Sequence, residues 1–121
     1  MLIVDDNEDS AKALGLILTS KGHESKVVAE GHAVVAAARQ FKPDAIVLDI
    51  GLPDMNGYEV ARALRRDSAT REARIIAVTG FGRDEDRARA QAAGIDMHMT
   101  KPVELEALLA EIGRSRGQRR R

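Results

Sequence analysis

Residues 45–66 read AIVLDIGLPDMNGYEVARALRR, and this stretch decides the fold. Residues 45–49 form a short apolar run that ends in a carboxylate, the pattern of a strand buried on both faces. Pro43 and Pro53 punctuate the loops on either side of it. Beyond the second proline a helix is expected from about Gly57 to Arg66. A buried strand that feeds a helix through a short loop is one unit of a parallel sheet.

Working outward, the same alternation recurs. Further strands are expected over residues 2–5, 25–29, 75–79 and 97–100, each short and mostly rich in Ile, Val or Met. The first helix carries Leu14, Ile17 and Leu18 on one side and stops at Lys21-Gly22, where glycine takes the left-handed C-terminal turn. Others are expected over about 32–39 and about 84–93, the latter closing at Gly94. The last carries Leu105, Leu108, Leu109 and Ile112, the stripe of an amphipathic helix. Five strand-helix pairs predict a parallel sheet covered by helices on both faces.

At 121 residues the chain fits one domain. Its 19 basic and 19 acidic residues cancel, yet Arg114, Arg116, Arg119, Arg120 and Arg121 crowd the C-terminus. Removing those five arginines leaves 14 basic residues against 19 acidic, a net charge of −5 for residues 1–113. The domain is therefore expected over residues 1–113, with 114–121 a basic flexible tail or linker stub. A like-charged block is more often a solvated end than a nucleic-acid arm. The absence of cysteine rules out a disulfide framework and a thiolate metal site. With no membrane-length apolar run and no signal-peptide pattern, a cytoplasmic location is expected. Met1 stands almost at the first strand, so no leader is expected before it. One expectation is that the chain is a domain cut from a larger protein.

In an open parallel sheet, ligands collect beyond the carboxyl ends of the strands, where the strand order reverses. Asp5 and Asp6 end the first strand, Asp49 the third and Thr79 the fourth, and Lys101 follows the fifth. Each has an ordinary reading alone: helix-start acids, a β-branched strand residue, a solvated lysine. Their joint placement on one edge points to chemistry. Carboxylates this close repel unless a cation sits among them. Mg²⁺ takes one or two carboxylates plus water and phosphate oxygens, which suits Asp6 and Asp49 as direct ligands with Asp5 acting through water. Asp49 can act as a nucleophile toward phosphorus. Lys101 and the metal would neutralise the phosphoryl oxygens, and the Thr79 hydroxyl would donate a hydrogen bond to one of them.

These residues lie in the motifs Val4-Asp5-Asp6-Asn7, Leu48-Asp49-Ile50-Gly51-Leu52-Pro53-Asp54-Met55-Asn56-Gly57, Val78-Thr79-Gly80 and Thr100-Lys101-Pro102. In that order and spacing the chain resembles the receiver domains of two-component response regulators, which also occur within hybrid sensor histidine kinases. The resemblance implies a doubly wound, flavodoxin-like sheet of order 2-1-3-4-5. It implies Asp49 as phosphoacceptor, Asp5, Asp6 and Asp49 as metal ligands, and the Gly51 backbone carbonyl as a further ligand. Thr79, Gly80, Lys101 and His98 would form the phosphoryl-binding and switch group, with a cis bond before Pro102. Mg²⁺ is the implied cofactor, with Mn²⁺ able to take its place. The implied partners are a histidine kinase or histidine phosphotransfer protein. Output or homodimer contacts would fall on the face of the fourth helix, fifth strand and fifth helix.

Two positions depart from the commoner pattern. The family usually has Tyr or Phe three residues before the lysine, where this chain has His98. An imidazole in that role would make the switch sensitive to pH, since histidine titrates near neutrality. Gly51 lies two residues after Asp49 and leaves the site open to water, whereas Phe81, two after Thr79, would close it again. A phosphatase using an aspartyl phosphate would place a second acid at position 51, so poor turnover is expected. The alternative class is a docking domain independent of phosphorylation; the complete set argues against it, because nothing in pure docking requires the acids, hydroxyl and lysine together.

Overall fold

The strand candidates pair in parallel. The computed structural model describes residues 1–52, 55–79, 87–100 and 103–119, leaving aside the side chains of 87–89 and 113–119. In chain order the elements are β1 (Leu2–Val4), α1 (Glu8–Ser20), β2 (Lys26–Val28), a 3₁₀ turn (Gly31–Ala33), α2 (Val34–Phe41), β3 (Ala45–Asp49), α3 (Gly57–Arg66), β4 (Arg74–Thr79), α4 (Arg87–Ala93), β5 (Met97–Thr100) and α5 (Leu105–Arg119). The five strands form one sheet of order β2-β1-β3-β4-β5, as expected.

Alternation along the strands divides the core in two. Leu2, Val4, Ile46, Leu48, Ile75 and Ala77 pack on α2, α3 and α4 through Val34, Ala38, Val60, Leu64, Ala90 and Ala93. Ile3, Val47, Ile76 and Val78 face the other way, against Ala11 and Leu18 of α1 and Leu108 and Ile112 of α5. Helices thus cover both faces, which is why β1, β3 and β4 are apolar at nearly every position.

Two details of the expected helices change. In α1 the buried positions are Ala11, Gly15 and Leu18, while Ile17, read as part of the inward stripe, is 40% exposed. The reason is rotational: the stripe through 11, 15 and 18 leaves position 17 on its flank. Gly22 does take the left-handed turn, with φ +91°. At the far end, α5 runs from Leu105 to Arg119, so the helix extends into the segment expected as a basic tail or linker stub. No helix among the described residues is long and apolar enough to cross a membrane.

Candidate functional site

The sheet reverses its winding direction between β1 and β3, and the acids expected to cooperate leave the sheet there. β1 is fully buried, and as the chain emerges Asp5 N donates to Val28 O at 3.1 Å. The Asp5 carboxylate is oriented by its own loop, because Asn7 N donates to Asp5 Oδ1 at 3.0 Å. Asn7 then caps α1, its Oδ1 accepting from Ser10 N at 3.1 Å, with Glu8 and Asp9 in the first turn. An amide cap followed by acids stabilises a helix N-terminus. The start of α1 thus fixes the path of Asp5 and Asp6. Asn7 was quoted above only as part of a motif, although a capping residue before two acids was a legible signal.

Asp49 closes β3 and is only 8% exposed. Its Oδ1 accepts from Gly51 N at 2.9 Å, and the next peptide is tied to β4 by Ile50 N donating to Val78 O at 3.0 Å. The three carboxylates converge: one oxygen each from Asp5, Asp6 and Asp49 lie within 4.8 Å of one another. Asp49 is buried, Asp5 half-buried and Asp6 exposed, so the cluster opens to solvent on the Asp6 side. Ionised together they repel, and the gap between them fits a hard cation with oxygen ligands. The donor set is compatible with a metal site.

Thr79 ends β4, one residue beyond the Val78 that pairs with Asp49. It is 2% exposed, and its Oγ1 is buried with no hydrogen-bond partner among the described residues. A buried hydroxyl left unpaired costs free energy and asks for an explanation. Across the ladder, Ala77 stands level with His98 and Thr79 with Thr100. Met97 and Met99 pack into the α1/α5 core, so alternation turns His98 and Thr100 toward α4. There His98 lines a cavity of about 400 Å³ with Ala90, Gln91, Ile95 and Thr100, and its Nε2 is likewise buried without a partner among the described residues. Sequence gave no warning of these two unpaired atoms. Gly80, Phe81, Lys101 and Pro102, also expected at this edge, lie outside the described residues. Tyr58, read as packing, is buried at the start of α3. Of the two histidines read as surface residues, His32 is exposed and His23 half-buried.

Comparison with known proteins agrees with this geometry. The family described as Response regulator receiver domain matches residues 1–113. Protein PilH of Pseudomonas aeruginosa is 36% identical over 112 residues, covering 93% of this chain and 93% of that protein. The DNA-binding dual master transcriptional regulator RpaA of a Synechocystis species is 31% identical over 93% of this chain, which spans 46% of that longer protein. Among solved structures, chemotaxis protein CheY4 of Vibrio cholerae superposes with a TM-score of 0.85 at 28% identity, covering 94% of this chain and 95% of that one. Receiver domains accept phosphoryl groups on an aspartate, work with histidine kinases or histidine phosphotransfer proteins, and are not classical turnover enzymes. By its sheet order, its acidic cluster and its sequence, the chain belongs to the CheY-like response regulator receiver domains of two-component signalling.

Proposed function

We propose that the chain takes a phosphoryl group from a phosphohistidine onto Asp49, with Mg²⁺ bound beside it, and that its output is a change of shape. The observation that carries this reading is the convergence of three carboxylate oxygens within 4.8 Å, on the edge where Thr79 holds a buried hydroxyl unpaired among the described residues. Asp6 and Asp49 would hold the ion directly, Asp5 through water, and the Gly51 carbonyl would add a ligand. When bound, Mg²⁺, or Mn²⁺ in its place, neutralises the carboxylates and the incoming phosphoryl oxygens.

An Asp49 carboxylate oxygen attacks phosphorus as the P–N bond to the donor imidazole breaks. The imidazole nitrogen keeps the electron pair, and the product is an acyl phosphate. Lys101 places a cation against the phosphoryl group, and Thr79 and Gly80 bind its oxygens. The Thr79 hydroxyl then gains a phosphoryl oxygen as acceptor, which favours a second conformation. His98, next to the cavity against α4, follows that movement in place of an aromatic ring. The change is read at the face of α4, β5 and α5 by an output partner or a second copy of the chain.

Intact-mass analysis after incubation with acetyl phosphate, with and without Mg²⁺, tests the reading beside an Asp49→Asn control. One Mg²⁺-dependent phosphoryl group, absent in the control, is expected. Absence of both an adduct and released phosphate would favour phosphorylation-independent docking.

A further inference from the structure

β5 has four residues, none fully buried, and among the described residues it pairs only with β4 at the sheet edge. Its register nevertheless matters. Thr100 must stand level with Thr79, and a slip of one residue would exchange the His98/Thr100 face for the Met97/Met99 face. Lys101 follows Thr100 in the chain, so whatever sets the register of β5 also sets where Lys101 begins.

That anchor is Asp96, the residue before the strand. Asp96 N donates to Ile75 O at 2.9 Å, while Asp96 Oδ2 accepts from Ile75 N at 2.8 Å, so one residue engages both backbone groups of Ile75. Arg65 of α3 holds the same oxygen through Nη2 at 2.7 Å. The Arg65 guanidinium also donates to Gly94 O at 2.9 Å, to Ala73 O at 2.6 Å and to Arg71 O. Gly94 is required twice there. Its φ is +87°, and an added Cβ would lie 2.6 Å from Arg65 Cγ. Arg74, at the start of β4, lies 3.9 Å from Asp96 Oδ1 and pairs with Glu111, a carboxylate 2% exposed on α5. The carboxylate of Asp96 is thus gripped from α3 and β4, and through Arg74 it is linked to α5.

We infer that Asp96 is a positioning residue for phosphoryl acceptance: it sets the register of β5 and, through it, the placement of Thr100 level with Thr79 and the point from which the chain continues to Lys101. This rests on the reading of Asp49 as phosphoacceptor. Asp96 stands at the opposite end of β5 from Thr100 and acts only through the strand. Its loss should therefore disturb the lysine side of the site and leave the carboxylate cluster intact.

The test compares the parent, Asp96→Ala and Asp96→Asn for two readouts, the rate of phosphoryl gain from acetyl phosphate and the affinity for Mg²⁺. Asp96→Ala is expected to slow phosphoryl gain by about ten- to a hundredfold, the range for a misplaced group. Mg²⁺ affinity should stay within about twofold. Asp96→Asn keeps an acceptor for Ile75 N and should recover most of the rate. In a Lys101→Ala background, Asp96→Ala should add no more than about a twofold loss, because both changes act through one group. Equal slowing in that background, or a parallel loss of Mg²⁺ affinity, overturns the proposal. Should Asp96→Ala not fold, Arg65→Gln removes the grip on the same carboxylate and must slow phosphoryl gain with the same dependence on Lys101. A parent that gains no phosphoryl group refutes the acceptor reading instead. Hydrogen exchange at the Met97–Thr100 amides then decides the register separately: unchanged protection in both Asp96→Ala and Arg65→Gln rules Asp96 out as its anchor.

Discussion

Replacing Gly57 with alanine should destabilise the protein, although alanine is ordinarily the better helix former. Gly57 opens α3 directly beside the end of β3. Its N donates to Ile50 O at 3.2 Å, and the Asn56 side chain caps the helix by accepting from Tyr58 N at 2.8 Å. A Cβ at position 57 would lie 2.6 Å from Ile50 Cα, 2.8 Å from Ile50 Cδ1 and 3.2 Å from Asp49 O. The Ile50 side chain can rotate away, but Ile50 Cα and Asp49 O are backbone of the turn that carries Asp49. Helix propensity favours alanine by about 1 kcal/mol. Overpacking against backbone costs about 1–3 kcal/mol, and an unyielding obstacle takes the upper part of that range. The net loss should be about 1–2 kcal/mol, or a fall in Tm of roughly 3–12 °C for a domain of this size.

Gly51→Ala is the matched control. Among the described residues a Cβ there meets only Asp49 Oδ1, at 3.7 Å, an ordinary contact. Its effect should stay within about 0.5 kcal/mol. Thermal and urea melts followed by far-UV circular dichroism suit a chain without tryptophan. A Gly57→Ala protein that melts at or above the parent, or a Gly51→Ala protein that loses as much, would refute the reasoning.

Three further outcomes are expected. Thr79→Val, which replaces a hydroxyl unpaired among the described residues with a methyl of similar size, should raise the stability of the unmodified protein by about 1 kcal/mol in urea melts while weakening its response to phosphodonor. Asp6→Ala should abolish Mg²⁺ binding in a calorimetric titration and leave the melting profile close to that of the parent, since Asp6 is the exposed member of the cluster. The Asp67 carboxyl is held below its ordinary value, first by a hydrogen bond from Arg39 and then by Ala69 N at 2.9 Å. A lowered value means stability that is present above about pH 4 and disappears as pH falls through the folded-state value. Asp67→Asn should accordingly melt below the parent at neutral pH, with the gap closing in acid; a constant gap would discount the ion pair.

Much of this protein was legible in its one-dimensional pattern because two signals are local. Apolar runs at residues 45–49 and 75–79 read as strands buried on both faces, and a carboxylate or a threonine at their ends is then expected on one edge. Chain order and parallel pairing then bring Asp5, Asp6 and Asp49 together, and the structure places their oxygens within 4.8 Å. The rotational setting of α1 was less legible. Leu14, Ile17 and Leu18 are all apolar, and only the packed helix shows that Ala11 and Gly15 face inward while Ile17 is 40% exposed. Two small residues decide that face because they allow close approach, which hydrophobicity alone does not report.

The sequence by itself determined the strand-helix alternation, the sheet order through its family resemblance, and which acids, hydroxyl and lysine could share an edge. Tertiary structure alone decided which polar atoms are satisfied. The Thr79 hydroxyl and His98 Nε2 are left unpaired among the described residues, whereas Asp96, an unremarkable acid in the sequence, gathers contacts from α3 and β4. Hydrogen-bond satisfaction depends on groups distant in the chain that meet only after folding: Asp96 finds Arg65 across 31 positions and Ile75 across 21. No local pattern encodes such a meeting.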